Sequence, residues 1–357
     1  MALTKALIMA GGTGGHIMPG LAVAEELIKQ NVQCSWLGRQ SGIEANLLLN
    51  YPQITYYAVD CKPLRGKSLL SKLRAPWQFI KALYQSWRIL KTLQPDIVYG
   101  FGGYVSAPGG IAAELLGIPV IIHEQNRIAG LTNRILSRLA KMTCESFPET
   151  FQSRKKVIYT GNPVRSNILA VADRKVQQKL DAGLRIGILG GSQGAQYFNQ
   201  KIPKMIQPLA SELSIEVYHQ TGQAMRGIVT EDYQDREIPA IVSDFIDDIA
   251  GFYLWSDLVI ARAGATTVAE LAAAGVPSIL IPYPYAVDDH QTENAKFLVD
   301  QNAAVLLPQD QLSKEKLATI IRNMLPNLTE IAAAALSIAQ PNAAQKMANL
   351  AFEWLGE

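Results

Sequence analysis

Cysteine is scarce in this sequence. Only Cys34, Cys61 and Cys144 occur in 357 residues. They are far apart and odd in number, which argues against a disulfide framework or a zinc cluster and fits a reducing compartment. Long apolar runs are also missing. None approaches the roughly 18 residues needed to span a bilayer. The opening MALTKALIMAGG has too short an apolar stretch for a secretory signal, and no cleavage site follows it. Charged residues make up only 18% and hydrophobic residues 48%, so disorder, collagen and coiled coil are excluded as the main state. No GxxxxGK[ST] occurs, which argues against a P-loop NTPase. No clean GxGxxG occurs either, which weakens a dinucleotide oxidoreductase reading.

What is present reads as two similar halves. A chain of this length exceeds one ordinary core and suggests two domains of about 150–180 residues. Residues 1–165 hold 19 Lys and Arg against 9 Asp and Glu, and residues 166–357 hold 14 against 22, so a half of net charge +10 is joined to one of −8. The basic half is expected to face something anionic. Each half opens alike. Ala6–Ala10 is an apolar run, GGTGGH follows, and Leu21, Val23, Ala24, Leu27 and Ile28 continue at helical spacing. About 180 residues later Leu184–Leu189 precedes GGSQGA and another helix-like stretch. Further strand candidates are Cys34–Leu37, Ile97–Tyr99, Val120–His123, Ile215–His219, Leu258–Ala261 and Ser278–Ile281. Alternation of strands with helices predicts doubly wound parallel sheets covered on both faces, an α/β fold of two Rossmann-like domains. The linker is placed near Gly161-Asn162-Pro163, where proline interrupts the pattern.

Glycines between a strand and a helix let backbone N–H groups approach a ligand closely, and the helix N-terminus favours phosphate. Three such loops occur: Gly11–Gly15, Gly100–Gly103 followed by Tyr104, and Gly190–Gly194. One alone is as readily plain turn chemistry. Three at strand ends, where ligands of open sheets bind, point to a site. Polar residues gather beside such strand ends: His16, then His123-Glu124-Gln125-Asn126, then Arg262 through Glu270, then Asp289-His290-Gln291. His219 lies at the end of a probable strand and reads as structural.

The ordered set GGTGGH, GFGGYVSAPGG, HEQN, GNPVR, GGSQGA, FIDDIA, ARAGATTVAELAAAGVPSILIPYP and HQTENA resembles the MurG family of peptidoglycan N-acetylglucosaminyltransferases, from Lys5 to about Ala295. The resemblance implies a GT-B fold, with two Rossmann-like domains separated by a cleft. Residues 1–162 with 342–357 would form an acceptor- and membrane-binding domain, and 163–341 a UDP-N-acetylglucosamine-binding domain. The implied reaction is inverting transfer of N-acetylglucosamine to the 4-hydroxyl of N-acetylmuramic acid in an undecaprenyl-pyrophosphoryl pentapeptide. That is the lipid I to lipid II step, on the cytoplasmic face of the inner membrane. No cofactor is implied. The Asp-x-Asp pair that holds a metal in other glycosyltransferases is missing, and the adjacent Asp247-Asp248 and Asp288-Asp289 read as cap chemistry and polar lining.

The resemblance also assigns residues. Glu270 would take the ribose hydroxyls, since a carboxylate accepts two hydrogen bonds from a diol; an ordinary surface glutamate is the alternative. Ala265, Thr266, Thr267, Val268 and Ala269 would lie at the helix start beneath the diphosphate, where Ser192 and Gln193 also belong. Ile246 would offer its backbone to uracil. Arg165 would approach the phosphates, or else form an interdomain salt bridge. His290 and Gln291 would read sugar hydroxyls. Thr13, Gly14, Gly15 and Asn126 would touch the donor sugar from the other domain. Gly102, Gly103, Tyr104 and His123 would serve the acceptor, with Tyr104 and His123 either touching it or supporting the groups that do. Imidazole exchanges protons near neutral pH, so His16 is the expected base, with a positioning or capping role as the alternative and Glu124 as its rival.

Cys61 to Pro95 contains eight Lys or Arg and no acid. Leu73, Trp77, Ile80, Leu83 or Tyr84, and Trp87 recur there on one helical face. Basic flanks with Trp and Leu describe a helix at an anionic membrane surface; a core-facing amphipathic helix is the bland alternative. Nucleic acid is not expected, since no nucleic-acid motif accompanies the charge. Two other functions remain open: a UDP-N-acetylglucosamine 2-epimerase, and a non-catalytic nucleotide-sugar-binding regulator at the membrane.

Overall fold

The computed structural model describes residues 3–61, 75–152, 156–175, 183–191 and 194–356. The chain forms two compact units, Met1–Arg165 with Asn342–Glu357, and Ser166–Pro341.

The first unit is built on seven parallel strands: β1 (Lys5–Met9), β2 (Gln33–Arg39), β3 (Thr55–Val59), β4 (Ile97–Gly100), β5 (Val120–Glu124), β6 (Met142–Glu145) and β7 (Val157–Tyr159). Their order in the sheet is β3-β2-β1-β4-β5-β6-β7. Residue alternation decides which face each side chain covers. Leu7 and Met9 join a cluster with Leu90, Ala112 and Ala113 of the helices Ala75–Leu93 and Ser106–Leu115. Ala6, Ile8 and Ala10 join the opposite cluster with Ile17, Leu21, Ala24 and Leu27 of the helix Gly14–Lys29. The central strands are buried on both faces, which is why they read as unbroken apolar runs.

The last helix, Ala343–Gly356, belongs to this unit. Its Ala344, Met347, Ala348 and Ala351 complete the cluster under the Gly14–Lys29 helix. The Tyr99 hydroxyl donates to the Met347 carbonyl at 3.2 Å, and Lys346 Nζ donates to the Tyr159 carbonyl at 2.6 Å.

The second unit repeats the plan with six parallel strands: β8 (Leu184–Leu189), β9 (Ile215–Gln220), β10 (Ala240–Ser243), β11 (Leu258–Ala261), β12 (Ser278–Leu280) and β13 (Ala304–Leu306). Their order is β10-β9-β8-β11-β12-β13. In each sheet the order reverses beside the first strand, between β1 and β4 and between β8 and β11. Chains leave such a switch point toward opposite faces and leave a crevice at the carboxyl ends. The glycine loops stand there.

Candidate active site

At the switch point of the first unit two glycine loops press together. Gly103 has φ +81°, and a Cβ on it would lie 2.1 Å from the Gly11 carbonyl oxygen. No side chain fits, so glycine is required by contact as well as by backbone angle. Gly102, at φ +97°, lies under the His16 ring, where a Cβ would stand 3.1 Å from Nδ1 and Cε1. Ser106 ties this loop to β1: its hydroxyl lies 2.6 Å from the Gly102 carbonyl and 3.1 Å from that of Met9. Beneath the first loop lies Glu44, fully buried, whose Oε1 accepts from the Arg39 backbone N–H at 2.8 Å and from Arg39 Nε at 3.4 Å. It occupies the space a side chain at Gly11 would need.

His16 stands in the first turn of the Gly14–Lys29 helix, half-buried. Its Nδ1 lies 2.9 Å from Gln125 Oε1. Gln125 Nε2 lies 3.0 Å from His123 Nδ1 and donates to the His123 carbonyl at 3.1 Å. His123 Nε2 lies 3.0 Å from the Gly161 carbonyl. His123 is fully buried, and desolvation pushes its imidazole down to about 4. With no exposed surface, it fits the supporting place behind the acceptor groups, the second of its two expected roles.

Glu124 is equally committed. Oε1 accepts from the Asn126 backbone N–H at 3.0 Å and its Nδ2 at 3.2 Å; Oε2 accepts from the Gly130 N–H at 3.0 Å and Asn133 Nδ2 at 2.9 Å. At 2% exposure this carboxylate organises the loop after β5. Its two oxygens face four donors, all within this loop and the helix that follows. Asn126 and Tyr104 remain half-buried, Gly14 and Gly15 likewise, and Thr13 is exposed.

Arg165 ends the first unit. Tyr51 hydrogen-bonds to both Glu25 and Arg165. Burial raises the Glu25 carboxyl and the Arg165 charge opposes that rise. The arginine is thus tied within the first unit, to the helix that carries His16.

In the second unit the Ala265–Ala274 helix starts directly after β11. Its first turn holds Ala265, Thr266 and Thr267, and Gly275 in the left-handed region, at φ +61°, ends it. The Val268 N–H already bonds the Gly264 carbonyl at 2.9 Å. Val268 is buried and Ala269 half-buried. Glu270 is buried, and its Oε2 accepts from the Tyr253 hydroxyl at 2.9 Å. Ile246 is buried. Asp248 caps the next helix through the Gly251 N–H at 2.9 Å. Asp288 and Asp289 are exposed at positive φ, and Asp289 Oδ1 accepts from the Thr292 hydroxyl at 2.8 Å. His290 Nδ1 bonds the Val287 carbonyl at 2.8 Å, and Gln291 Oε1 accepts the Tyr283 N–H at 2.9 Å. Ser192 and Gln193 lie outside the described residues.

Arg262 underlies this loop. It donates to the carbonyls of Ile281 and Pro282 and to Gln309 Oε1, between the rings of Phe198 and Tyr283. Burial lowers its guanidinium to about 10. Sequence reasoning noted Arg262 and Gln125 without giving either a task. Asn133, Glu44 and Tyr253 carried no signal, because none of them lies in a glycine loop or in one of the polar clusters that follow the strands.

The basic amphipathic face divides. Leu83 and Trp87 are half-buried and pack on the sheet. Trp77, Ile80 and Tyr84 stand out at 76%, 53% and 58% exposure. Leu73 lies outside the described residues. A second stripe follows β5: Leu131, Ile135 and Leu139 are exposed at spacing four, beside Arg134, Arg138 and Lys141. Among the described residues no helix is long and apolar enough to cross a membrane, and no group of His, Cys, Asp and Glu could hold a metal ion.

Comparison with known proteins decides the family. Residues 6–144 match the glycosyltransferase family 28 N-terminal domain and residues 185–351 its C-terminal domain. A UDP-N-acetylglucosamine--N-acetylmuramyl-(pentapeptide) pyrophosphoryl-undecaprenol N-acetylglucosamine transferase of Ectopseudomonas mendocina is 44% identical over 350 residues, 97% of this chain and 98% of the relative. The chain belongs to the MurG family of glycosyltransferases. Its Acinetobacter baumannii relative of the same description is 45% identical over 352 residues, 96% of each chain. A crystal structure of Acinetobacter baumannii MurG superposes with TM-score 0.80 at 43% identity, covering 98% of this chain and 99% of that one. The two parallel-sheet units are those of the GT-B fold. A UDP-GlcNAc 2-epimerase from Neisseria meningitidis also superposes, at TM-score 0.71 over 98% of this chain and 100% of that one, but at 16% identity the likeness is one of fold alone. The MurG membership favours the transferase reading over the epimerase and over a silent binder.

Proposed function

We infer that this chain transfers N-acetylglucosamine from UDP-N-acetylglucosamine to the 4-hydroxyl of the muramoyl sugar in an undecaprenyl-pyrophosphoryl-linked pentapeptide acceptor. The observation that carries it is 44–45% identity over nearly the whole length to enzymes described by that reaction. The acceptor oxygen attacks C1 of the α-linked sugar, the bond from C1 to the diphosphate breaks, and the new link is β. The hydroxyl proton goes to His16. The departing charge is met by backbone N–H groups at the start of the Ala265–Ala274 helix, with Ser192 and Gln193. Glu270 takes the ribose hydroxyls and the Ile246 backbone takes uracil. His290 and Gln291 meet the sugar, with Thr13, Gly14, Gly15 and Asn126 adding contacts. Gly102, Gly103 and Tyr104 serve the acceptor. His123 acts only through Gln125. Arg165, held by Tyr51, supports the phosphates indirectly.

The enzyme is peripheral, on the cytoplasmic face of the plasma membrane. Trp77, Ile80 and Tyr84 with Lys81 and Arg88 form one patch that suits an anionic lipid surface. Leu131, Ile135 and Leu139 with their basic neighbours form a second.

Labelled UDP-N-acetylglucosamine with a short-chain lipid I analogue tests the reading. A labelled disaccharide lipid is expected. Labelled UDP-N-acetylmannosamine would mark an epimerase instead, and binding without turnover a regulator. Glu270→Ala is expected to weaken donor binding by about ten-fold or more. His16→Gln should lower kcat by roughly 10²–10⁴-fold at little cost in donor KM. Unchanged kcat in the His16 variant would remove the base assignment.

A further inference from the structure

An imidazole acts as a base only through its unprotonated nitrogen, so the tautomer matters as much as position. Two carbonyl groups fix it, because each can only accept a hydrogen bond. The first is the Gly161 carbonyl, 3.0 Å from His123 Nε2. That nitrogen must carry the proton, so His123 Nδ1 carries a lone pair. Burial, which lowers this imidazole to about 4, keeps the ring neutral and the lone pair in place. The second is the His123 carbonyl, 3.1 Å from Gln125 Nε2. Turning the amide over would set its oxygen against that carbonyl and against the Nδ1 lone pair. The Gln125 nitrogen must therefore face His123, and Oε1 faces His16 Nδ1 at 2.9 Å. An amide oxygen cannot donate. His16 Nδ1 must supply the proton, and Nε2 is left with its lone pair.

We propose that Gln125 is the positioning residue that holds His16 in the Nδ1–H tautomer, so that Nε2 is the atom that takes the acceptor's proton. The proposal rests on the reading of His16 as the base. Gln125 is 1% exposed, so it acts through His16 and touches no substrate. The chain of bonds runs from the first helix, through the end of β5, to the Gly161 backbone. A main-chain carbonyl thereby sets the polarity of the whole series.

The test uses the full chain labelled with ¹⁵N-histidine. Four histidines are present, and His16→Gln identifies the His16 signals by their loss. In the unaltered protein above its protonation range, His16 should show a protonated Nδ1 and an unprotonated Nε2, and His123 the reverse. A His16 spectrum with Nδ1 unprotonated would overturn the proposal without any variant. Gln125→Met keeps the length and removes both polar atoms. It should release His16 toward the Nε2–H form and lower kcat on the order of 10²-fold, with donor KM nearly unchanged. A Gln125→Met protein that folds with the His16 tautomer unaltered overturns the proposal. A tautomer that changes while kcat does not instead overturns the reading of His16 as base, so the two failures are distinct.

Discussion

At the scale of single residues, the site is made by contacts that tolerate no added atom and by protons that have one place to go. Gly103 shows the first. Gly103→Ala would force a Cβ into the Gly11 carbonyl at a positive φ, and a loss of about 2–4 kcal/mol is expected. Urea unfolding of the variant should show an earlier midpoint, and turnover should fall with it. The histidines show the second. His123 and His219 are buried and neutral, held by desolvation at about 4 and about 3 against 6.5 for the free group. The unfolded chain takes up these protons below 6.5 and the folded chain does not. Their contribution to stability is therefore complete above pH 6.5 and lost as pH falls toward 4, at up to about 1.4 kcal/mol per pH unit for each. Unfolding midpoints at pH 7 and pH 5 should differ accordingly, and His219→Gln should remove one proton from that dependence. Residue identity was readable in the sequence here, but assignment was not. The sequence makes His16 the expected base and Glu124 its rival, but it does not show that four N–H donors occupy Glu124.

At the scale of elements, the central strands were legible because burial on both faces leaves them apolar throughout. β8 and β11 have the bounds expected from their apolar runs, Leu184–Leu189 and Leu258–Ala261. The outer strands were not. Thr55–Val59 and Ala240–Ser243 lie at sheet edges with mixed burial, so their polarity resembles that of loops. The Ala75–Leu93 helix was legible as amphipathic, yet one apolar face turned out to serve two directions. A helix of this kind has an arc of apolar residues wider than its contact with the sheet. The flank that overhangs is exposed. The division has a measurable consequence. Trp77→Ser with Ile80→Ser should release the protein from vesicles containing anionic lipid while leaving its thermal midpoint unchanged. Trp87→Ser should lower the midpoint by several degrees instead, since that ring packs on the sheet and carries Lys91 Nζ at 4.7 Å.

At the scale of the whole chain, the two-fold repetition of strand, glycine loop and helix announced two α/β units, and the comparisons place them in one family. The last helix shows what repetition could not announce. Ala343–Gly356 leaves the second unit's sequence and completes the first unit's core. Ending the chain at Pro341 would bare Ile17, Leu21, Ala24 and Leu27 on one side of the first sheet. The shortened protein is expected to aggregate or to lose the first unit's unfolding transition in calorimetry, with the second unit's transition retained. Retention of both transitions would show that the helix contributes little to the first unit's stability.

Taken by itself, the sequence determined the elements and their kinds, because apolar period, glycine and proline act locally and each leaves a mark within a few positions. It determined the family through an ordered set of motifs. Only the tertiary structure decided which oxygen faces which nitrogen in the line from His16 to Gly161, which half of an apolar helix is left uncovered, and which core side chains the last helix covers. The His16–Gln125 contact joins positions 109 apart and the Tyr99–Met347 contact positions 248 apart, and no local pattern along a chain records a contact of that kind.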